Sequence, residues 1–264
     1  YRASRQLAFH GEDVSVRVPV DLKSVELWEL DHPRLYRARI SLTQSNGVLD
    51  EISVDFGMRK IEARANRIYL NGRPIYITGG GMDPVAYGGG VDVNWHLPPP
   101  YHDRTDEEIR ADIALTKSLG VNLVRIPLRP APPRLLYWAD RMGLMIWQGE
   151  PWTLSQPVKN PTPEEYKEWL TEIMLRDRNH PSLVMWELVN EGGGFPTREA
   201  FLRLASELYD FAKQMDETRL ILDNSGGWAL SETNYIGNHG KSDLDDVHAY
   251  PPFHLFEEGR RLIS

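Results

Sequence analysis

Asp177-Arg178-Asn179-His180-Pro181-Ser182-Leu183-Val184-Met185-Trp186-Glu187-Leu188-Val189-Asn190-Glu191-Gly192-Gly193 is the stretch on which the fold turns. It has three parts. A polar turn with Pro181 ends a helix, because the residue before a proline disfavours the helical region. The apolar run over 183–189 reads as a short buried strand. A carboxamide, Asn190, and a carboxylate, Glu191, then stand together at its C-terminal end, and glycines open the loop behind them. A carboxylate at the end of a buried strand costs free energy unless it is paired or used. At the C-terminal rim of a parallel barrel such residues carry chemistry. Asn190-Glu191 therefore suggests a general acid beside a hydrogen-bonding amide. A salt-bridged Glu capping the next helix is the plain alternative.

Outward from this strand, the pattern alternates. Thr105 with Glu108 forms a capping box, and Gly120 stops the helix it starts. Thr162-Pro163-Glu164-Glu165 is a second box, with proline at the first helical position. Strands are expected over 75–77, 121–127, 144–148, 183–189, 220–223 and 246–250, with helices between them. Such alternation implies a parallel sheet with right-handed crossovers. Counting the strand at Ile75 as the first, six strands are present, whereas a closed (β/α)8 barrel has eight.

The first 57 residues read as β structure. Val14, Val16 and Val18 alternate with polar residues, as a half-buried strand does. Apolar runs over 35–42 and 48–56 flank the turn Ser45-Asn46-Gly47, and Ile68 and Ile75 flank Asn71-Gly72. These strands are too few for a whole sandwich. The expected organisation is a partial immunoglobulin-like β-sandwich over 1–57, then a TIM-barrel domain over 58–264. The loop Gly79-Gly80-Gly81-Met82-Asp83-Pro84 lacks a phosphate-loop ending; its glycines suit close approach of a substrate to the backbone.

Composition narrows the function. Net charge is −8, against a nucleic-acid or anionic-membrane partner. Cysteine is absent, which removes disulfides, thiolate metal sites and a Cys nucleophile. The eight histidines show no metal-binding spacing, so no metal and no cofactor is expected. No Gly-x-Ser-x-Gly elbow is present. No apolar run approaches the ~20 residues of a membrane span, and no signal peptide is read. A soluble protein is expected, with its compartment and any homo-oligomer left open.

The stretch at 177–193 resembles the acid/base motif of glycoside hydrolase family 2, the β-galactosidases, β-glucuronidases and β-mannosidases: an Arg-Asn-His-Pro-Ser turn, a Trp-bearing strand and Asn-Glu. The resemblance runs from about residue 25 onward. Asp31-His32-Pro33-Arg34-Leu35-Tyr36 is similar to a strand entry of the family's immunoglobulin-like domain, and 56–62 to its linker into the barrel. Asp246-x-His248-x-Tyr250-Pro251 and Asp223-Asn224-Ser225-Gly226-Gly227-Trp228 resemble a β-galactosidase-like branch. Where the family often has Arg-His-Glu, residues 82–84 read Met-Asp-Pro.

The resemblance implies a retaining β-glycosidase acting on a terminal β-linked sugar. Such enzymes use two carboxyl groups about 5–5.5 Å apart. Glu191 matches the acid/base. Asn190 matches the amide that holds the sugar's 2-hydroxyl. The nucleophile is a Glu on strand seven, expected beyond residue 264, since Glu257 and Glu258 read as a solvated helix face; the 264 residues alone are expected to be poorly active. Arg125 matches the family's arginine on strand two. A buried arginine needs a carboxylate, and Glu187, with the same strand parity as Glu191, is one candidate. The nucleophile is another, and a purely structural ion pair also fits. Glu150 and Trp152 follow strand three, where a hydroxyl contact or a loop cap fits. Asp246, His248 and Tyr250 alternate on strand six. Trp228 suits a sugar-stacking platform or loop packing. His180 reads as a structural hydrogen-bonder. Two other functions stay open: a non-catalytic carbohydrate-binding or scaffold protein on a degenerate barrel, and a β-mannanase- or cellulase-type glycosidase.

Overall fold

The computed structural model describes residues 2–7, 14–80, 104–126, 130–149, 162–190, 197–225 and 240–246. Two strands come first, β1 (Tyr36–Gln44) and β2 (Gly47–Phe56), paired antiparallel. The turn is Ser45-Asn46, with Gly47 at φ +133° starting the return strand. The register shifts once, so that Leu42 faces Asp50 and Thr43 faces Val48. Ala38, Ile40, Val54 and Ile52 share one face; Arg37 with Asp55 and Ser41 with Glu51 share the other. Residues 14–22 form no strand, contrary to the alternation of their valines, and Val14, Val18 and Val20 are exposed. Alternation makes a strand only where a neighbouring ladder takes up its backbone groups, and among the described residues none lies there.

A three-stranded antiparallel meander follows: β3 (Ile61–Arg64), β4 (Arg67–Leu70) and β5 (Arg73–Ile75). Each of its two-residue turns, Ala65-Asn66 and Asn71-Gly72, has both residues at positive φ. That geometry matches the right-handed twist of the flanking strands. The expectation that the strand at Ile75 opens the barrel is thereby corrected. β5 belongs to the meander, and the parallel sheet begins at β6 (Gly79–Gly80), which pairs with Leu123 and Val124. These glycines, expected in a loop, are strand residues; a Cβ on Gly79 would lie 3.2 Å from the Leu123 carbonyl oxygen.

The remaining elements are α1 (Asp106–Ser118), β7 (Leu123–Ile126), α2 (Pro133–Met142), β8 (Met145–Gln148), α3 (Pro163–Asp177), β9 (Leu183–Glu187), α4 (Arg198–Met215) and β10 (Leu220–Leu222). Both capping boxes form, Thr105 with Glu108 and Thr162 with Glu165. The order across the sheet is β6-β7-β8-β9-β10, all parallel. Sequential order without a reversal is the sheet of a barrel; a doubly wound fold reverses at a switch point. The expected sixth strand lies outside the described residues from 247 onward.

Alternation along β7, β8 and β10 divides the core, while in β9, where the register with β8 shifts, the consecutive Val184 and Met185 both join the inward set. Val124, Ile126, Ile146, Trp186 and Ile221 pack under the helices. Leu123, Met145, Met185, Leu220 and Leu222 face inward and meet Ile61, Leu70 and Trp28. The meander thus plugs the barrel where the strands begin. Arg59 fastens this plug, donating to the carbonyls of Pro181 (3.1 Å), Leu183 (2.6 Å) and Thr218 (2.6 Å). Burial and the neighbouring Arg219 bring the Arg59 guanidinium down to about 9. Trp28, fully buried, donates Nε1–H to the Asp140 carbonyl at 2.7 Å, and Lys117 reaches the Leu30, Met142 and Gly143 carbonyls.

Candidate active site

With the strand starts plugged, the opposite ends of β7, β9 and β10 gather polar side chains. Arg125 is the third residue of β7 and shares the inward parity of Leu123. Glu187 ends β9 and shares the parity of Met185. The two meet as a fork: Arg125 Nε donates to Glu187 Oε2 at 2.8 Å, and Nη2 to Oε1 at 2.5 Å. Nη2 also donates to Asn190 Oδ1 at 2.7 Å. Arg125, Glu187 and Asn190 are all buried, and the Glu187 carboxylate is wholly so. A charge out of water needs such a partner, and the bidentate geometry is the strongest form of the pair.

Asn190 is held from behind as well. It forms a parallel bridge with Ser225, whose N–H donates to the Val189 carbonyl at 2.8 Å. The Ser225 hydroxyl donates to Asp246 Oδ2 at 2.6 Å. Asp246 thus joins the rim through Ser225. A cavity of about 370 Å³ opens beside the cluster. Its walls include Arg125, Trp147, Asp245 and Asp246, with apolar Leu123, Met185, Leu222 and Leu244 below. The Trp147 ring lies 4.9 Å from the Arg125 guanidinium carbon.

Of the expected site residues, Arg125, Asn190 and Asp246 are therefore brought to one end of the sheet. Glu191, Glu150, Trp152, Trp228, His248 and Tyr250 lie outside the described residues. Sequence reasoning missed Trp147 and Ser225. The signal for Trp147 was strand parity, since Met145 and Trp147 share the inward face of β8. Ser225 stood within the quoted 223–228 motif with no role given to it.

His180 behaves as a structural hydrogen-bonder. Its Nδ1 lies 2.5 Å from Asp140 Oδ2, while Ser182 donates its hydroxyl to Asp140 Oδ1 at 2.6 Å. This cluster sits at the start of β9, and the aspartate lies between serine and histidine, so it is no nucleophile-and-base pair. Among the described residues no group of three or more His, Asp or Glu is placed to hold a metal ion, and no helix is long and apolar enough to cross a membrane.

A family model described as "Glycosyl hydrolases family 2, TIM barrel domain" matches residues 61–246. This chain belongs to glycosyl hydrolases family 2. A second model of the family matches residues 2–59. Similar curated proteins include a beta-galactosidase of Pectobacterium atrosepticum, 30% identical over 225 residues, covering 82% of this chain and 20% of that one. A beta-galactosidase of Vibrio vulnificus is 29% identical, covering 81% and 20%. Among solved structures, Bacteroides uniformis beta-glucuronidase superposes with a TM-score of 0.64 at 25% identity, covering 80% of this chain and 25% of that one. Ruminococcus gnavus beta-glucuronidase, in complex with D-glucuronic acid, gives 0.60 at 26% identity, covering 77% and 33%. The chain spans 24% and 20% of the length of the first two curated relatives. With the family established, the β-mannanase or cellulase alternative is set aside.

Proposed function

We propose that the chain carries the acid/base half of a retaining β-glycosidase site, with Glu191 protonating the leaving oxygen and then activating water. The single observation that supports this is the Arg125–Glu187–Asn190 cluster. It sets the carboxamide that precedes Glu191 in the chain at the C-terminal end of the parallel sheet, where barrel enzymes do their chemistry. Asn190 holds the sugar's 2-hydroxyl, a contact that strengthens in the transition state. The nucleophile is a second carboxylate on strand seven, about 5–5.5 Å from Glu191.

The substrate proposed is a neutral β-linked sugar, a galactoside first. The similar curated proteins named beta-galactosidase and the resemblance of residues 223–228 and 246–251 to a β-galactosidase-like branch support it.

The test is hydrolysis of a panel of aryl β-glycosides by the full-length gene product and its Glu191→Gln variant. Release of the aryl group by the parent, lost in the variant, is expected. Equal release by both would remove Glu191 from the mechanism. No release from any substrate would favour the carbohydrate-binding reading, for which the same proteins are titrated with the sugars.

A further inference from the structure

We propose that Glu187 is a positioning residue: through the fork it makes with Arg125, it turns the Asn190 amide so that its NH2 group is presented to the substrate. This rests on the glycosidase reading and adds to it a residue with no assigned part in the reaction.

Donors and acceptors fix which way the amide is turned. A guanidinium only donates, so the Asn190 atom at 2.7 Å from Arg125 Nη2 is the carbonyl oxygen. The amide's donor end therefore faces away from Arg125. That is the end a sugar hydroxyl oxygen accepts from.

What aims Arg125 is Glu187. Two parallel bonds, 2.8 and 2.5 Å, fix the guanidinium plane, and Nη2 then has one remaining hydrogen, directed at Asn190. A single-point contact would leave that plane free to rotate. The Trp147 ring, 4.9 Å away, bounds the guanidinium on β8.

The Asn190 backbone has anchors of its own, the bridge to Ser225 and the bond from Ser225 N–H to the Val189 carbonyl. Glu187 and Asn190 belong to the same segment, yet their side chains are linked through a residue of β7, and that linkage bears on the orientation of the Asn190 side chain.

The experiment uses the full-length gene product as parent, Glu187→Gln, Asn190→Ala and the double variant. Each is assayed on an aryl β-glycoside and on its 2-deoxy analogue, with melting temperatures recorded. Gln keeps the shape and loses the charge-assisted fork. Glu187→Gln is expected to lower kcat/KM on the hydroxylated substrate about 10–100-fold, mainly through kcat. On the 2-deoxy analogue the loss should stay within about 3-fold, as should any added loss in the Asn190→Ala background. Equal losses on both substrates, or full losses that multiply in the double variant, would show a merely structural ion pair and overturn the proposal. So would unchanged kinetics. Should Glu187→Gln fail to fold, Arg125→Lys keeps the charge and loses the fork. The same selective loss is expected of it, and an unselective one overturns the proposal. A parent that releases aryl groups while showing no such selectivity sinks this inference alone. A parent that releases none removes the glycosidase reading, and this inference with it.

Discussion

Asp216, just past the end of α4, ties that helix to the start of the strand that ends in the site. It is buried, at 8% exposure. Its Oδ2 accepts from the Trp186 indole at 3.0 Å and from Arg219 Nη1 at 2.6 Å, and Oδ1 accepts from the Thr218 N–H and hydroxyl. Arg219 in turn donates to the carbonyls of Leu183, Arg178 and His180. Replacing Asp216 with Asn leaves a buried guanidinium without its counter-charge. Breaking such a pair typically costs about 3–5 kcal/mol. Asn retains an acceptor oxygen, so the expected loss is about 2–4 kcal/mol. Urea unfolding at neutral pH reads this from the midpoint at constant slope.

The pH dependence gives a second, signed readout of the same residue. Burial by itself would raise the Asp216 carboxyl, but Arg219, the Thr218 donors and the Trp186 indole outweigh it and hold the group at about 2, below its ordinary 3.8. A depressed carboxyl contributes stability that is fully present above the unfolded value and fades as pH falls from about 4 toward about 2. The difference corresponds to about 2 kcal/mol, reduced by whatever solvent screening reaches the group. Asp216→Asn should remove that part of the acid dependence. A loss below about 1 kcal/mol at neutral pH, or an acid-unfolding profile identical to the parent's, would mean that the Asp216–Arg219 pair does not stabilise the fold.

Three further outcomes are expected. Gly143→Ala should destabilise strongly, by about 2–3 kcal/mol in chemical unfolding, because a Cβ there would lie 2.0 Å from the Leu30 carbonyl oxygen on a backbone at φ +70°. Trp28→Ala should cost about 3–5 kcal/mol by the same measurement, since a fully buried ring and its bond to the Asp140 carbonyl are both lost. Thr162→Ala should cost about 1 kcal/mol, read as a lowered urea midpoint, through loss of the α3 capping box.

Much of the parallel-sheet domain was legible because its signals are local. Both capping boxes need only a side chain and a backbone N–H four residues apart at most, and both form. The buried strand read over 183–189 showed itself by an apolar run interrupted only by Glu187, and it forms over 183–187; Glu187 was one of the two partners offered for Arg125, by parity and a buried charge's need of a carboxylate. What failed depended on context. Gly79 and Gly80 pair with β7 as strand, but glycine offers no alternation to read. Ala65-Asn66 makes a turn at positive φ, which an alanine rarely signals. Val14, Val16 and Val18 have the right period and no ladder among the described residues. In the site, Trp147 was hidden because an inward tryptophan and a core tryptophan look alike until the neighbouring strand is placed.

Chemical rescue is the sharpest reading of whether Glu191 is the acid/base of a double displacement. The Glu191→Ala variant of the full-length gene product is assayed on an activated aryl β-glycoside with and without sodium azide. A leaving group that needs no protonation still departs, and the glycosyl-enzyme then waits for a nucleophile that no longer needs a base. The prediction is slow turnover without azide, restored turnover with it, and a glycosyl azide of retained anomeric configuration. A variant as active as the parent, or one on which azide has no effect, would contradict the claim.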